Sequence, residues 1–187
     1  MTTLVFLLFM RPSIITIGID PGWASCGVAV TSQDTEAETP KLVRAFSFIP
    51  RELSNNDSTY AAVNELCNKL DPYLDMCAVQ SKVVIERYVA YKGIHSDMSE
   101  KILMFIGALH FFFESSDWKV EMVRAIDWKP TICKHLVRTK GFSNPAQSFD
   151  KKFSLAAAQA LSAQDFKIDH EADAVCLSFL PYIPKKE

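Results

Sequence analysis

The sequence predicts an α/β domain with a five-stranded mixed sheet and helices on both faces. Three observations predict it. Apolar, β-branched runs of strand length and amphipathic runs of helix length follow one another in the order β-β-β-α-β-α-β-α-α-α. The first two runs, 14–20 and 26–30, are separated by a Pro21-Gly22 breaker and three further residues, the pattern of a hairpin of two core strands. The 187 residues are 49% hydrophobic and 22% charged, which suits one three-layer domain and excludes a disordered tail or a coiled coil.

Taken in order, residues 4–10 (LVFLLFM) are apolar but too few to span a bilayer, and no positive side chain precedes them as a secretory signal requires. Residues 1–13 therefore read as an apolar extension: an extra strand, a dimer-packing arm, or a leader upstream of a start at Met10. Residues 14–187 form the domain. Ile14, Ile15, Ile17 and Ile19 climb to Asp20 in the first strand, and 26–30 is the second. A polar loop leads to a third strand at 42–49. Ala62, Leu66, Leu70 and then Tyr73 or Leu74 recur at helical spacing over 57–76, with Asp57 or Ser58 as N-cap. Residues 82–86 (KVVIE) have an apolar middle between charged ends, as a central strand covered on both faces should. A helix over 97–115 is rich in aromatics, which suits core or a dimer surface. The fifth strand is 119–124. A helix then runs to about 137 with Pro130 in its first turn, and helices at 151–162 and 169–180 end the chain. No repeat, low-complexity tract or linker interrupts them.

A net charge of −2 argues against indiscriminate coating of nucleic acid but allows a local basic face. The five cysteines are scattered, with no CxxC pair, so neither a zinc ribbon nor a redox motif is supported and a reducing cytoplasm fits. The expected location is cytoplasmic, with no membrane partner.

Asp20 is the most informative residue. A charge buried at the end of a core strand costs several kcal/mol unless it meets a cation or a strong donor. Asp before Pro-Gly is equally ordinary turn chemistry, so the neighbours decide. Glu86 ends the fourth strand as Asp20 ends the first; if these strands are parallel neighbours, both carboxylates sit at the sheet edge where open α/β sheets bind ligands. The third contribution is Asp169-His170-Glu171-Ala172-Asp173 at the start of the last helix. His170 and Asp173 share a helix face. Acids in a first helical turn suit the dipole, which accounts for Asp169 and Glu171 but poorly for Asp173 among apolar neighbours. Carboxylates from three elements follow the logic of a two-metal site, with two Mg²⁺ ions about 4 Å apart flanking a phosphodiester. His170 as a ligand favours tolerance of Mn²⁺; its alternative role is general acid or base.

Between Arg124 and Lys152 the bases Arg124, Lys129, Lys134, Arg138, Lys140, Lys151 and Lys152 face only Asp127 and Asp150. Such a run is either a solvated face or, beside a metal site, a phosphate-contacting one. Arg87, Tyr88, Tyr91 and Lys92 follow Glu86 directly; Tyr88 or Tyr91 can stack on an unpaired base or belong to the core.

IGIDPGWASCGVAV, then VVIERYVAYKG, then DHEADAVCLSFL resemble, in order and spacing, the RuvC group of Holliday-junction resolvases in the RNase H-like superfamily, over 14–180. The resemblance implies an RNase H-like nuclease domain with Asp20, Glu86 and Asp173 as metal-binding catalytic carboxylates. It places His170 at a fourth position where many relatives carry aspartate and some histidine. The small, divergent body is phage-like or organelle-like, and the resemblance implies a nucleoid-associated location, or the host cytoplasm for a phage-encoded chain. The implied activity is metal-dependent resolution of four-way DNA junctions by symmetric paired nicks, leaving 5′-phosphate and 3′-hydroxyl ends. Two symmetric cuts imply a two-fold homodimer, and similar proteins carry a wedge and basic residues at the junction centre where residues 87–93 fall here. The alternatives are an RNase H-like nuclease acting on RNA or other branched DNA, and a non-catalytic junction-binding protein. An actin-like ATPase shares the I-G-I-D-x-G hairpin but needs a second lobe and a far longer chain.

Overall fold

The computed structural model describes residues 13–34, 39–53, 59–74, 81–89, 96–145 and 148–184. The apolar run 4–10, the expected cap at Asp57 or Ser58, and Tyr91 and Lys92 lie outside the described residues. Five strands form one sheet: β1 (Ser13–Asp20), β2 (Cys26–Asp34), β3 (Lys41–Phe48), β4 (Lys82–Glu86) and β5 (Lys119–Val123). Their spatial order is β3-β2-β1-β4-β5. β2 is antiparallel to both neighbours, whereas β1, β4 and β5 run parallel. The mixed sheet expected from the sequence is thus present, with β1 and β4 adjacent.

Among the described residues six helices accompany it: α1 (Pro50–Leu53), α2 (Thr59–Leu74), α3 (Ser96–Ser115), α4 (Ala125–Lys140), α5 (Lys151–Ser162) and α6 (Asp169–Phe179), followed by a 3₁₀ turn at Leu180–Tyr182. The one-turn α1 and the 3₁₀ turn lack a counterpart in the sequence pattern. Strand side chains alternate between two faces. On one, Ile17, Ile19, Val28, Val30, Val83 and Ile85 pack with Leu66 and Leu70 of α2 and Phe105 and Leu109 of α3. On the other, Ala29 and Val84 meet Trp128 and Ile132 of α4, Phe153 and Ala157 of α5, and Val175 and Leu177 of α6. Each fully buried Ile, Val or Leu stabilises the fold by roughly 1.5–3 kcal/mol.

The α6 face is the one that builds the site, and it is lined by small residues. A Cβ on Gly18 would lie 2.1 Å from the Ala174 carbonyl oxygen, and one on Gly27 would lie 1.9 Å from that of His170. Those two glycines let the backbone of α6 rest directly on β1 and β2.

Several boundaries shift, β2 running on to Asp34 where a polar loop was expected and α4 to Lys140, and one shift bears on a proline. α4 starts at Ala125, so Pro130 is inside the helix rather than in its first turn. The Arg124 guanidinium spans that first turn to the Asp127 carboxylate at 2.7 and 3.0 Å, and the Arg124 carbonyl accepts from the Asp127 and Trp128 amides, so the first turn is closed ahead of the proline. The bond that Pro130 removes would have ended on the carbonyl of Ile126, an exposed residue. α4 closes at Gly141, whose φ of 62° suits glycine, and the Asp150 side chain caps α5 by accepting from the Lys152 and Phe153 amides. Among the described residues no helix is long and apolar enough to cross a membrane. Cys26, Cys67, Cys133 and Cys176 are free thiols.

Candidate active site

Asp20 is the last residue of β1 and Glu86 the last of β4. Ile19 pairs with Ile85 in parallel register, so the two acids follow at the carboxyl ends of neighbouring strands. Strand parity puts Asp20 on the face of Gly18 and Glu86 on the face of Val84, both toward α6. The close seat of α6 then brings its first turns to the same edge.

The acids of that helix divide by direction. Asp169 pairs with Lys151 of α5 at 2.9 Å, and Glu171 accepts from the Ser47 hydroxyl of β3 at 2.9 Å. His170 and Asp173 face the sheet edge instead. His170 Nδ1 lies 2.5 Å from Asp20 Oδ2. Asp173 Oδ2 accepts from Lys129 Nζ at 3.3 Å, and the same ammonium reaches Ser154 Oγ at 3.3 Å. Glu86 Oε2 accepts from the indole N–H of Trp128 at 2.8 Å.

The electrostatics tie the acids into one unit. Burial, reinforced by the charge of Asp20, pushes Glu86 up to about 7. Burial also raises Asp173, with Asp20 adding to it and Lys129 opposing. The hydrogen bond to Asp20 holds His170 above its usual range. Asp173 Oδ1 is buried and has no hydrogen-bond partner. A buried carboxylate oxygen without a donor is costly, and a cation is the natural remedy.

Hard carboxylate oxygens with one imidazole suit Mg²⁺ or Mn²⁺, so the donor set fits such an ion. The arrangement is not a finished cage: among the described residues no three His, Cys, Asp or Glu side chains stand ready to enclose one. Asp20 is turned to His170, Glu86 to Trp128 and Asp173 to Lys129. Each acid is balanced by its own donor or cation.

The expected nucleic-acid residues scatter. Lys134 and Arg138 are exposed on α4 and line a groove of about 690 Å³ between α4, β5 and the segment Leu180 to Pro184. Arg87 is exposed. Lys129 is not on that surface: it is largely buried, bound to Asp173 and stacked over the Trp128 ring. Lys140 donates to the Ala160 carbonyl near the end of α5, where a cation satisfies a terminal carbonyl. The Tyr88 hydroxyl meets Ser99 Oγ of α3 at 3.1 Å, and its ring packs on the core. Sequence reasoning missed Trp128 and Ser154 and placed Lys129 on the wrong surface, because these contacts join residues far apart in the chain. Gly18 and Gly27 carried a readable signal, since glycine inside a strand marks close backbone approach.

No protein-family model matches the chain, and none of the curated proteins does. Solved structures do. The chain is similar to RuvC of Thermus thermophilus in complex with a Holliday junction substrate, with a TM-score of 0.60 and 14% identity over 89% of this chain and 92% of that one. It is also similar to Ydc2, the yeast mitochondrial Holliday junction resolvase, with a TM-score of 0.54 and 13% identity over 87% and 75% of the two chains. Sheet order, strand directions and helix placement together give this chain the RuvC-like RNase H fold.

Proposed function

We propose that this chain is a structure-selective, divalent-metal-dependent endonuclease that resolves four-way DNA junctions by symmetric paired nicks, hydrolysing phosphodiesters to 5′-phosphate and 3′-hydroxyl ends. The observation that carries the reading is the meeting of Asp20, Glu86, His170 and Asp173 at one sheet edge, with Asp173 Oδ1 buried and unpartnered. Likeness to solved resolvases over most of the chain supports it.

Asp20, Glu86 and Asp173, with His170 as a fourth donor, would hold Mg²⁺, or Mn²⁺ in its place, as two ions per site. Bound there, such ions supply a water activated at neutral pH and charge stabilisation at the leaving oxygen. The contact of Lys129 with Asp173 limits the repulsion among the acids. Lys134, Arg138 and Arg87, which are exposed, would meet phosphates, making binding salt-dependent. Tyr91 and Lys92 complete the proposed DNA contacts. Symmetric cutting requires a two-fold homodimer. The exposed apolar residues Leu103, Met104 and Phe111 of α3 are the surface suited to it.

The test uses the purified chain with labelled four-way junction, linear duplex and RNA–DNA hybrid, in Mg²⁺, Mn²⁺ or EDTA. The expected result is paired symmetric nicks on the junction, lost in EDTA and in Asp20→Asn while junction binding persists. Cleavage of RNA alone would replace the substrate. Tight junction binding without cutting in either metal would replace catalysis with a scaffolding role.

A further inference from the structure

Two consecutive residues of α4 reach two different acids of the site. Trp128 is 1% exposed and packs in the core cluster that includes Ile132, Phe153 and Val84. An indole this deeply buried needs an acceptor for its N–H, and the indole can only donate. Its acceptor is Glu86 Oε2 at 2.8 Å. Lys129 lies over the same ring, its Nζ 5.0 Å from the centroid, while reaching Asp173. The edge of the indole therefore engages one carboxylate, and its face supports the cation that engages another. The ring cannot rotate without displacing core neighbours, so the direction of its N–H is set by packing.

We propose that Trp128 is a positioning residue for the divalent-metal site, its indole N–H setting the orientation in which Glu86 offers its carboxylate. This inference rests on the metal reading of the site given above. The indole touches no reacting group and acts through Glu86. Hydrogen-bond partners of ligating carboxylates hold them in place, and their loss typically lowers metal affinity or activity about 10–100-fold.

Trp128→Phe keeps an aromatic ring in the core and removes the N–H. Trp118→Phe is the control, because Trp118 is also buried but belongs to the cluster on the opposite sheet face. Mn²⁺ titrated calorimetrically into the full chain should bind about tenfold or more weakly to Trp128→Phe and within about twofold of the parent to Trp118→Phe. In a Glu86→Gln background, Trp128→Phe should add no further loss. In metal-free protein, Glu86→Gln should shift the indole N–H resonance of Trp128 and leave those of Trp23 and Trp118 in place, a readout that stands even if Trp128→Phe fails to fold. Unchanged Mn²⁺ affinity in Trp128→Phe, or an unmoved Trp128 resonance, would overturn the positioning role alone. A parent that binds no Mn²⁺ would overturn the metal reading and this inference together. Weakened Mn²⁺ binding in a chain whose parent never cuts a junction would remove the proposed substrate and leave the positioning role standing.

Discussion

Glu86 and Asp173 are carboxylates held where water is scarce and like charge is near, His170 is bonded to Asp20, and the placement of these three groups makes the metal-free protein sensitive to pH. Glu86 is raised from 4.5 to about 7 by burial and then by Asp20. Asp173 is raised by burial, and His170 by its bond to Asp20. All three bind protons more tightly folded than unfolded, so each contributes stability that is full below its ordinary value and lost as pH rises through its folded value. For Glu86 that window runs from 4.5 to about 7. Scanning calorimetry without metal should give a lower Tm at pH 8 than at pH 5.5, with a shallower slope in Glu86→Gln. Added Mn²⁺ at pH 8 should recover the loss, because an ion binding only the folded state stabilises it by mass action. A Tm that climbs steadily from pH 5.5 to 8 would contradict the placement of these groups.

At the level of elements, the site depends on how close α6 lies to β1 and β2. Gly18 and Gly27 contribute no chemistry, yet the close seat of α6 that they permit is what brings His170 to Asp20 and Asp173 to the same edge. In Gly18→Ala the new Cβ would sit 2.1 Å from the Ala174 carbonyl oxygen and 2.5 Å from the Ser178 nitrogen. Neither is the end of a flexible side chain, so the helix must move. The cost is about 1–3 kcal/mol or more, and thermal denaturation should show it. Mn²⁺ affinity should fall as well although every ligand is intact; full affinity in a destabilised variant would separate the glycine from the site. The strands were legible because β-branched alternation reports burial on two faces. The division of the acidic helix start was not: Asp169 turns to Lys151, Glu171 to Ser47 and Asp173 to Lys129, and each partner comes from another element.

On the scale of the molecule, the sheet separates two functions. Its α4–α5–α6 side builds the carboxylate edge, and its α2–α3 side carries the larger core. α3 buries Phe105, Leu109 and Phe113 but leaves Leu103, Met104 and Phe111 exposed, with open space at Gly107 between them. An apolar stripe around a glycine suits close approach of a second helix across a two-fold axis. Phe111, 74% exposed, is the residue to change. On the proposed reading, Phe111→Asp should convert the dimer to a monomer in light scattering after size exclusion and replace paired nicks with single ones, with Mn²⁺ affinity retained. A dimer that survives the substitution would move the interface elsewhere.

By itself the sequence determined the element order, the mixed sheet and the residues at its carboxyl edge, because hydrophobic period and strand-end acids are local signals. His170 and Asp173 were legible for the same reason: a spacing of three places them on one helix face. Only the tertiary structure decided what those acids touch. It moved Lys129 from the expected phosphate surface into the site, tied Lys140 to α5 and Tyr88 to α3, and supplied Trp128 as the donor to Glu86. The reason is physical: a side chain's type is written at one position, but the partner that satisfies a buried charge comes from whatever element the fold packs beside it.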